Sequence, residues 1–330
     1  MRVGIIGTGY AARQHIEAIR SSGDIDLAVI CEPLSQSRTP AYEWAEPARS
    51  LTLDQLLCAE DIQIVGICTP PGAHAALAIA ALRSGKGVVI EKPAAASLAE
   101  LESILQERTS VGLPVAVMHQ HRFVLPAEIV EHHWSSHCTA IVEVYKPRGE
   151  SYFLSSPWRT QPGLSGGGAF AHLGIHYADL ACQLLGTPEA VTGVVSCDYL
   201  PGIDTRVAIA ARFESGSILS LTCDCIGAIR KERLSVRDGG MEFDILDGVS
   251  RRMNGGLEIR GKSIPKSNLR ASVYREVCEA LASGSVVLPR ADAQWSRSAL
   301  SLMGHVQRLS CDSTSPFEQR HQNETSSNRR

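Results

Sequence analysis

The first 120 residues alternate strand and helix signals, and no other feature restricts the possible folds so strongly. RVGIIG (2–7) reads as a short buried strand, and YAARQHIEAIRSSG as a helix stopped by Gly23. IDLAVICE (25–32) is the next strand. Thr52 with Gln55 makes a capping box ahead of LLCAE, and IQIVGIC (62–68) follows as a strand. AHAALAIAALRSG is a helix closed by Gly85, and GVVIE (87–91) is a strand. Ser97 with Glu100 caps a helix running to about Ser110, and PVAVM (114–118) ends the series. Strands separated by long helices mean βαβ units and a parallel, doubly wound sheet, the Rossmann arrangement within the α/β class. Right-handed crossovers line up the loops after each strand along one edge, where such sheets bind ligands.

After about residue 120 the pattern changes. A helix-like stretch (126–134) leads into TAIVEVYK, an alternating strand, and a Gly/Ser/Pro-rich segment (149–168) precedes a helical stretch, AFAHLGIHYADLACQLLG. AVTGVVSCDY, RVAIAARFE, SILSLTCDCIG, ERLSVRD and MEFDILD are strand candidates at short spacing, which predicts an open, mostly antiparallel sheet in an α+β domain. Helices near 271–283 and 292–309 close the fold. The expected division is a Rossmann domain over 1–120, an α+β domain over 121–311, and a polar, disordered tail over 312–330 whose only large apolar residue is Phe317.

Composition narrows the function classes. Hydrophobic residues at 44% and charged residues at 20% exclude wholesale disorder. Thirty-two Lys and Arg against 35 Asp and Glu leave a net charge of −3, which gives no electrostatic reason to expect nucleic acid or an anionic membrane. The longest apolar stretch, Ala75–Leu82, is far short of the ~20 residues that span a bilayer. MRVGIIGTGY lacks the apolar core of a signal peptide, and the ten cysteines are irregularly spaced with no CxxC. These features predict a soluble, reduced, cytoplasmic protein.

GTGYAA lies directly between the first strand and the first helix and fits GxGxxA. Gly7 allows the tight turn, Gly9 lets backbone approach a pyrophosphate, and Ala12 lets helix and strand pack closely. Thr8, Tyr10 and Ala11 complete the turn, whose helix N-terminus offers N–H groups and a positive dipole end to phosphates. Glu32 ends the second strand, 20 residues beyond Ala12, where a carboxylate accepts hydrogen bonds from a ribose 2′-hydroxyl. It would repel a 2′-phosphate, so NAD is favoured over NADP. Ser35 and Arg38 are close enough in sequence to soften that preference.

Two further loops follow parallel strands and should face the cofactor: CTPPGAH, with Thr69, Pro70 and His74, and EKP, with Glu91 and Lys92. A lysine there can hold a substrate hydroxyl and stabilise its alkoxide, with Glu91 orienting it; the alternative is an ordinary solvated lysine. His172, His176 and Asp179 fall at i, i+4 and i+7, on one helical face, with Asp179 a candidate to bind substrate. An imidazole there can accept a proton from a hydroxyl at neutral pH. A zinc site is a rival reading of the same three, disfavoured by the missing HExxH glutamate and the missing Cys partner, and a histidine satisfied by backbone is another. HQHRF (119–123) and SPWR (156–159) bring His119, Arg122 and Arg159 towards the expected cleft. Either guanidinium could fork onto a substrate phosphate or carboxylate, or equally form an interdomain salt bridge. HHWSSH (132–137) is read as a helix end and surface loop.

Taken as a set, GTGYAA, CTPPGAHAALAIAALRSGKGVVIEKP and GGGAFAHLGIHYADLACQLLG resemble the Gfo/Idh/MocA family of NAD(P)-dependent oxidoreductases, over most of the chain. The resemblance implies a Rossmann domain plus an open-faced α/β domain whose sheet often mediates homodimers or homotetramers. It also implies oxidation or reduction of a secondary hydroxyl or ketone on a sugar-like substrate. Lys92 matches the EKP lysine and His176 the GxH histidine, as oxyanion stabiliser and acid/base. His172 stands where the family usually has Asp within GGGxxxDxGxH, so Lys–Asp–His becomes Lys–His–His. That departure, with YKPRGESYFLSSPWR ahead of the glycines, is more similar to branches acting on nucleotide-linked or amino-sugar substrates. An NAD-dependent glycoside hydrolase and a non-catalytic NAD-binding regulator are the rival functions on the same fold.

Overall fold

The computed structural model describes residues 1–33, 43–254 and 257–312. The chain forms two compact units, Met1–Val124 with Ile264–Arg297, and Leu125–Ser263 with the segment from Ser298 onward.

In the first unit the chain runs β1 (Arg2–Ile6), α1 (Tyr10–Ser22), β2 (Asp26–Cys31), β3 (Arg49–Ser50), α2 (Leu53–Cys58), β4 (Ile64–Ile67), α3 (His74–Arg83), β5 (Gly87–Ile90), α4 (Leu98–Val111) and β6 (Val115–Val117). The sheet order is β3-β2-β1-β4-β5-β6, with every pairing parallel. The strand order reverses between β1 and β4, which makes the carboxyl edge beside β1 the place where a crevice opens. Local signals set the ends of the helices. Gly23 closes α1 in the left-handed region at φ 73°, Thr52 and Gln55 cap α2 reciprocally, and the Ser97 hydroxyl accepts the Glu100 N–H at the start of α4.

The expected contiguous division near residue 120 is corrected, because Ile264–Arg297 returns to this unit. Helix α9 (Lys266–Ser283) buries Val273, Tyr274, Val277 and Ala280 in one cluster with Val3, Ile5, Ile64 and Val89. A parallel sheet is apolar on both faces and needs a helical layer on each, and α9 supplies part of one. A buried ion pair, Arg108 Nη1 to Asp292 Oδ1 at 2.5 Å, fastens the returning segment to α4.

The second unit contains α5 (Ala127–Val130), β7 (Thr139–Tyr145), α6 (Glu150–Leu154), α7 (Pro162–Ser165), α8 (Ile175–Leu185), β8 (Pro188–Ser196), β9 (Arg206–Phe213), β10 (Ile218–Asp224), β11 (Lys231–Asp238), β12 (Met241–Leu246), β13 (Val249–Asn254), β14 (Leu257–Arg260) and α10, which begins at Arg297 and ends at Asp312. Its sheet has the order β14-β13-β12-β11-β7-β10-β9-β8 and is antiparallel except between β7 and β10. Strand β9 shows why one face is covered and the other open, since Val207, Ile209, Ala211 and Phe213 are buried and the residues between them exposed.

The stretch expected to be helical over 126–134 keeps only α5. Beyond it the Asp238 carboxylate takes both the backbone N–H of Ser135, at 2.7 Å, and its hydroxyl, at 2.5 Å, and draws the chain into a turn. Strands β13 and β14 and the short helices α6 and α7 were not foreseen. The polar tail expected from Asp312 lies, beyond that residue, outside the described residues. All ten cysteines are free thiols. Among the described residues no helix is long and apolar enough to cross a membrane.

Candidate active site

Strand β1 ends at Ile6, and the chain turns at Gly7 with φ 99°. A Cβ there would lie 2.7 Å from the Cys68 carbonyl oxygen, so two neighbouring strand ends approach too closely for any side chain. Gly9 is the N-cap of α1 and has no side-chain cap, and a Cβ on it would meet nothing within 4 Å. The first turn of α1 carries no acidic residue. Open space in front of uncapped N–H groups at a positive dipole end is the environment a pyrophosphate needs. Glu32, half-buried just after β2, accepts the Thr8 hydroxyl at 2.6 Å and is thereby tied to the same turn. Tyr10 is largely exposed and Ala11 half-buried beside it. These residues fit a dinucleotide: Gly7, Thr8 and Gly9 would hold its phosphates and Glu32 its ribose. Ser35 and Arg38 lie outside the described residues.

The loops after β4 and β5 belong to the same edge. Thr69 and Pro70 are half-buried, but His74 is fully buried. Its Nδ1 lies 2.9 Å from the Pro93 carbonyl and its Nε2 2.9 Å from the Thr69 carbonyl. His74 is therefore corrected from a cofactor contact to a strut joining the two loops. Burial pushes its pKa down, although the backbone hydrogen bonds oppose this.

Glu91 is likewise committed to protein partners. Its Oε1 meets His15 Nε2 at 3.0 Å and its Oε2 accepts the Lys92 N–H at 2.9 Å. Burial pushes its carboxyl up, but the hydrogen bond from His15 and the pull of neighbouring cations, Lys92 and Arg270 among them, more than offset this and hold it at about 2. Lys92 itself is half-buried.

In the second unit Asp204 organises the glycine run. Its carboxylate accepts the N–H of Gly168 at 2.6 Å and of Phe170 at 2.7 Å, while its carbonyl accepts that of Ala169 at 2.7 Å. A Cβ on Gly168 would sit 1.9 Å from that carbonyl oxygen, so only glycine fits. The next turn, Phe170–Gly174, is a π-helix that runs into α8. The expected helix is thus present, with one wide turn, Phe170–Gly174, that contains His172. His172 and His176 are half-buried, whereas Asp179, further along, is fully buried. That burial corrects the expectation of Asp179 as a substrate ligand.

His172 is held by an aromatic group. Its Nδ1 is 2.9 Å from the Tyr152 hydroxyl, and its ring stacks on Trp158 at 5.7 Å with 14° between planes. The Arg159 guanidinium lies over Tyr152 at 4.5 Å and Trp158 at 4.8 Å, and Arg148 covers Tyr152 at 5.0 Å. Arg159 thus belongs to the aromatic group around His172, half-buried, with hydrogen bonds to neighbouring main-chain and serine oxygens. Arg122 does not. It is buried and donates to the carbonyls of Arg290 at 2.9 Å and Asp292 at 3.0 Å and to Ser296 Oγ at 3.1 Å, which corrects its expected role in substrate binding. His119 is also buried, and the same correction applies. Among the described residues no group of three or more His, Cys, Asp and Glu is arranged to hold a metal ion.

Residues 1–119 match the model of an oxidoreductase family with an NAD-binding Rossmann fold, and residues 137–238 match the GFO/IDH/MocA C-terminal domain. The chain belongs to the Gfo/Idh/MocA oxidoreductase family. Residues 1–119 are the family's NAD-binding domain. Among curated relatives, 4-carboxy-2-hydroxymuconate-6-semialdehyde dehydrogenase of Sphingobium sp. is 28% identical over 124 residues, covering 37% of this chain and 39% of that protein. D-glucoside 3-dehydrogenase of Escherichia coli is 27% identical over 192 residues, covering 57% of this chain and 55% of that protein. The chain therefore spans about half or less of these two relatives. The WlbA dehydrogenase from Bordetella pertussis, solved with NADH and UDP-GlcNAcA, shares the fold at a TM-score of 0.78 and 21% identity, with 94% of this chain and 96% of that chain covered.

The residues missed at the level of sequence are His15, Tyr274, Tyr152, Trp158 and Asp204. Tyr152 and Trp158 carried a faint signal, since both sit in the YKPRGESYFLSSPWR segment already singled out.

Proposed function

We propose that this family member is an NAD-dependent dehydrogenase that oxidises a secondary hydroxyl of a sugar, an amino sugar or a nucleotide-linked sugar to a ketone. The observation that carries this reading is the uncapped, unobstructed Gly7–Gly9 turn on the same sheet edge as Lys92. Bound NAD⁺ supplies the two-electron acceptor. His176 takes the hydroxyl proton as the carbon–oxygen double bond forms, and the Lys92 ammonium stabilises the developing oxyanion. His172, pinned by Tyr152 and Trp158, binds the substrate, with Arg159 beside it for an anionic group. Glu32 favours NAD over NADP through its carboxylate. The D-glucoside dehydrogenase and the UDP-GlcNAcA complex among similar proteins support a sugar substrate. Free cysteines support a reducing cytoplasm, and the open sheet face, with Val194 and Ile218 exposed, supports a homodimer or homotetramer.

The test is absorbance in the NADH band with purified protein, NAD⁺ and a panel of sugars, nucleotide sugars and aminoglycosides. A rise with one class identifies the substrate group. No rise across the panel, with NAD retained by the protein, would replace this reading with the glycoside hydrolase or the regulator.

A further inference from the structure

Three residues far apart in sequence meet behind Lys92. Tyr274 on α9 contacts His15 on α1, with its hydroxyl 2.7 Å from Nδ1, and the two rings pack edge to face at 5.6 Å. His15 Nε2 reaches Glu91, and Glu91 accepts the Lys92 N–H. His15 and Tyr274 are fully buried, and the Glu91 side chain is 13% exposed. The polarity of this chain of bonds follows from donor chemistry. An ionised carboxylate only accepts, so His15 Nε2 carries a proton. With the ring neutral, Nδ1 only accepts and the Tyr274 hydroxyl donates to it. Strand β4 is built around that hydroxyl: a Cβ on Gly66 would lie 2.5 Å from it.

We propose that His15 and Tyr274 are positioning residues for Lys92. The Tyr274 hydroxyl sets the His15 tautomer, His15 orients the Glu91 carboxylate, and Glu91 fixes the main chain from which the Lys92 ammonium projects. The inference rests on the reading of Lys92 as the oxyanion-stabilising group. A packing role alone would be filled equally well by phenylalanine at position 274, because the ring contact with His15 needs no hydroxyl.

The experiment uses the full chain in Tyr274→Phe, His15→Leu, Lys92→Met and the Tyr274→Phe/His15→Leu double variant. Long-range ¹H–¹⁵N spectra read the His15 tautomer, NADH fluorescence reads cofactor affinity, and steady-state kinetics use the substrate found in the panel. The wild-type ring is expected as the neutral Nε2–H form, and Tyr274→Phe should shift it away from that form. Turnover should fall about 10- to 100-fold in Tyr274→Phe, with NADH affinity changed less than about twofold. The double variant should be no slower than His15→Leu, since both act through one chain. A wild-type ring in the Nδ1–H or imidazolium form, or full turnover in Tyr274→Phe, overturns the proposal. If His15→Leu does not fold, Tyr274→Phe alone decides. Full turnover in Lys92→Met would sink the lysine reading itself. An inactive Lys92→Met beside a fully active Tyr274→Phe would remove the relay and leave the lysine reading intact.

Discussion

The two units place functional groups in different ways. In the NAD-binding unit every residue of β4 and β5 is buried, and the candidate site is made largely of backbone: an uncapped helix end, a positive-φ turn and two carbonyls bridged by His74. In the second unit the strands alternate buried and exposed residues, and the open face carries an ion-pair ladder from Lys231 and Arg233 to Glu143 and on to Asp244. There the candidate site is a set of side chains, with Tyr152, Trp158 and Arg159 gathered around His172. A site made of backbone demands particular residues at a few positions and little else. A site made of side chains can change its ligand whenever one of them changes.

Several measurements would break or sharpen this contrast. The largest effect is expected at Lys92, the one side chain of the first unit assigned to chemistry. Lys92→Ala should lose roughly 100- to 1,000-fold in turnover while NADH affinity stays within about twofold, read by kinetics and fluorescence titration. Equal losses in both would mean that binding and chemistry are not separated there.

Gly168→Ala attacks a backbone-made feature of the second unit. Its Cβ would fall 1.9 Å from the Asp204 carbonyl, and a loss of more than about 3 kcal/mol is expected in denaturant unfolding. A variant as stable as wild type would show that the glycine run is not held as described.

The Glu91 network should appear in the pH dependence of stability. Its carboxyl sits at about 2 against an ordinary 4.5. A depressed carboxylate contributes stability above its unfolded value and loses it as the pH falls through the folded one. Between about pH 4.5 and about 2, wild type should lose roughly 3 kcal/mol that Glu91→Gln never had. Parallel urea curves for the two proteins over that window would contradict it.

Gly9→Ala tests the backbone-made site where the protein leaves space. Nothing lies within 4 Å of the added methyl, so stability should stay within about 0.5 kcal/mol. NADH affinity should nevertheless fall about tenfold, because the methyl occupies the approach of the phosphates. The smallest effect is expected at Trp158. Trp158→Phe keeps a ring under His172 and should raise the substrate KM a fewfold, with no change for NADH.

The parts legible in sequence were those set by neighbours along the chain. The Thr52–Gln55 capping box, the Ser97 cap and the Gly23 terminus all act within one helical turn, and each is present. GTGYAA was legible because glycine at a positive-φ turn leaves a one-residue signal. The 126–134 stretch misled because its end is decided by Asp238, about a hundred residues later. Strands β13 and β14 were hidden by the polar run SRRMN, which lacks the β-branched and aromatic residues that mark a strand.

The sequence alone therefore determined the parallel sheet, the dinucleotide turn, Glu32 at its place and the family to which they belong, since each rests on short-range backbone preferences and alternating polarity. Only the tertiary structure decided which side chains are available. Arg122 follows β6 just as the sequence implies, yet its guanidinium is used by carbonyls about 170 residues away. Glu91 meets His15, and His15 meets Tyr274 across 259 positions. A buried polar group must find its partners wherever packing brings them, and packing is a property of the whole chain rather than of any window along it.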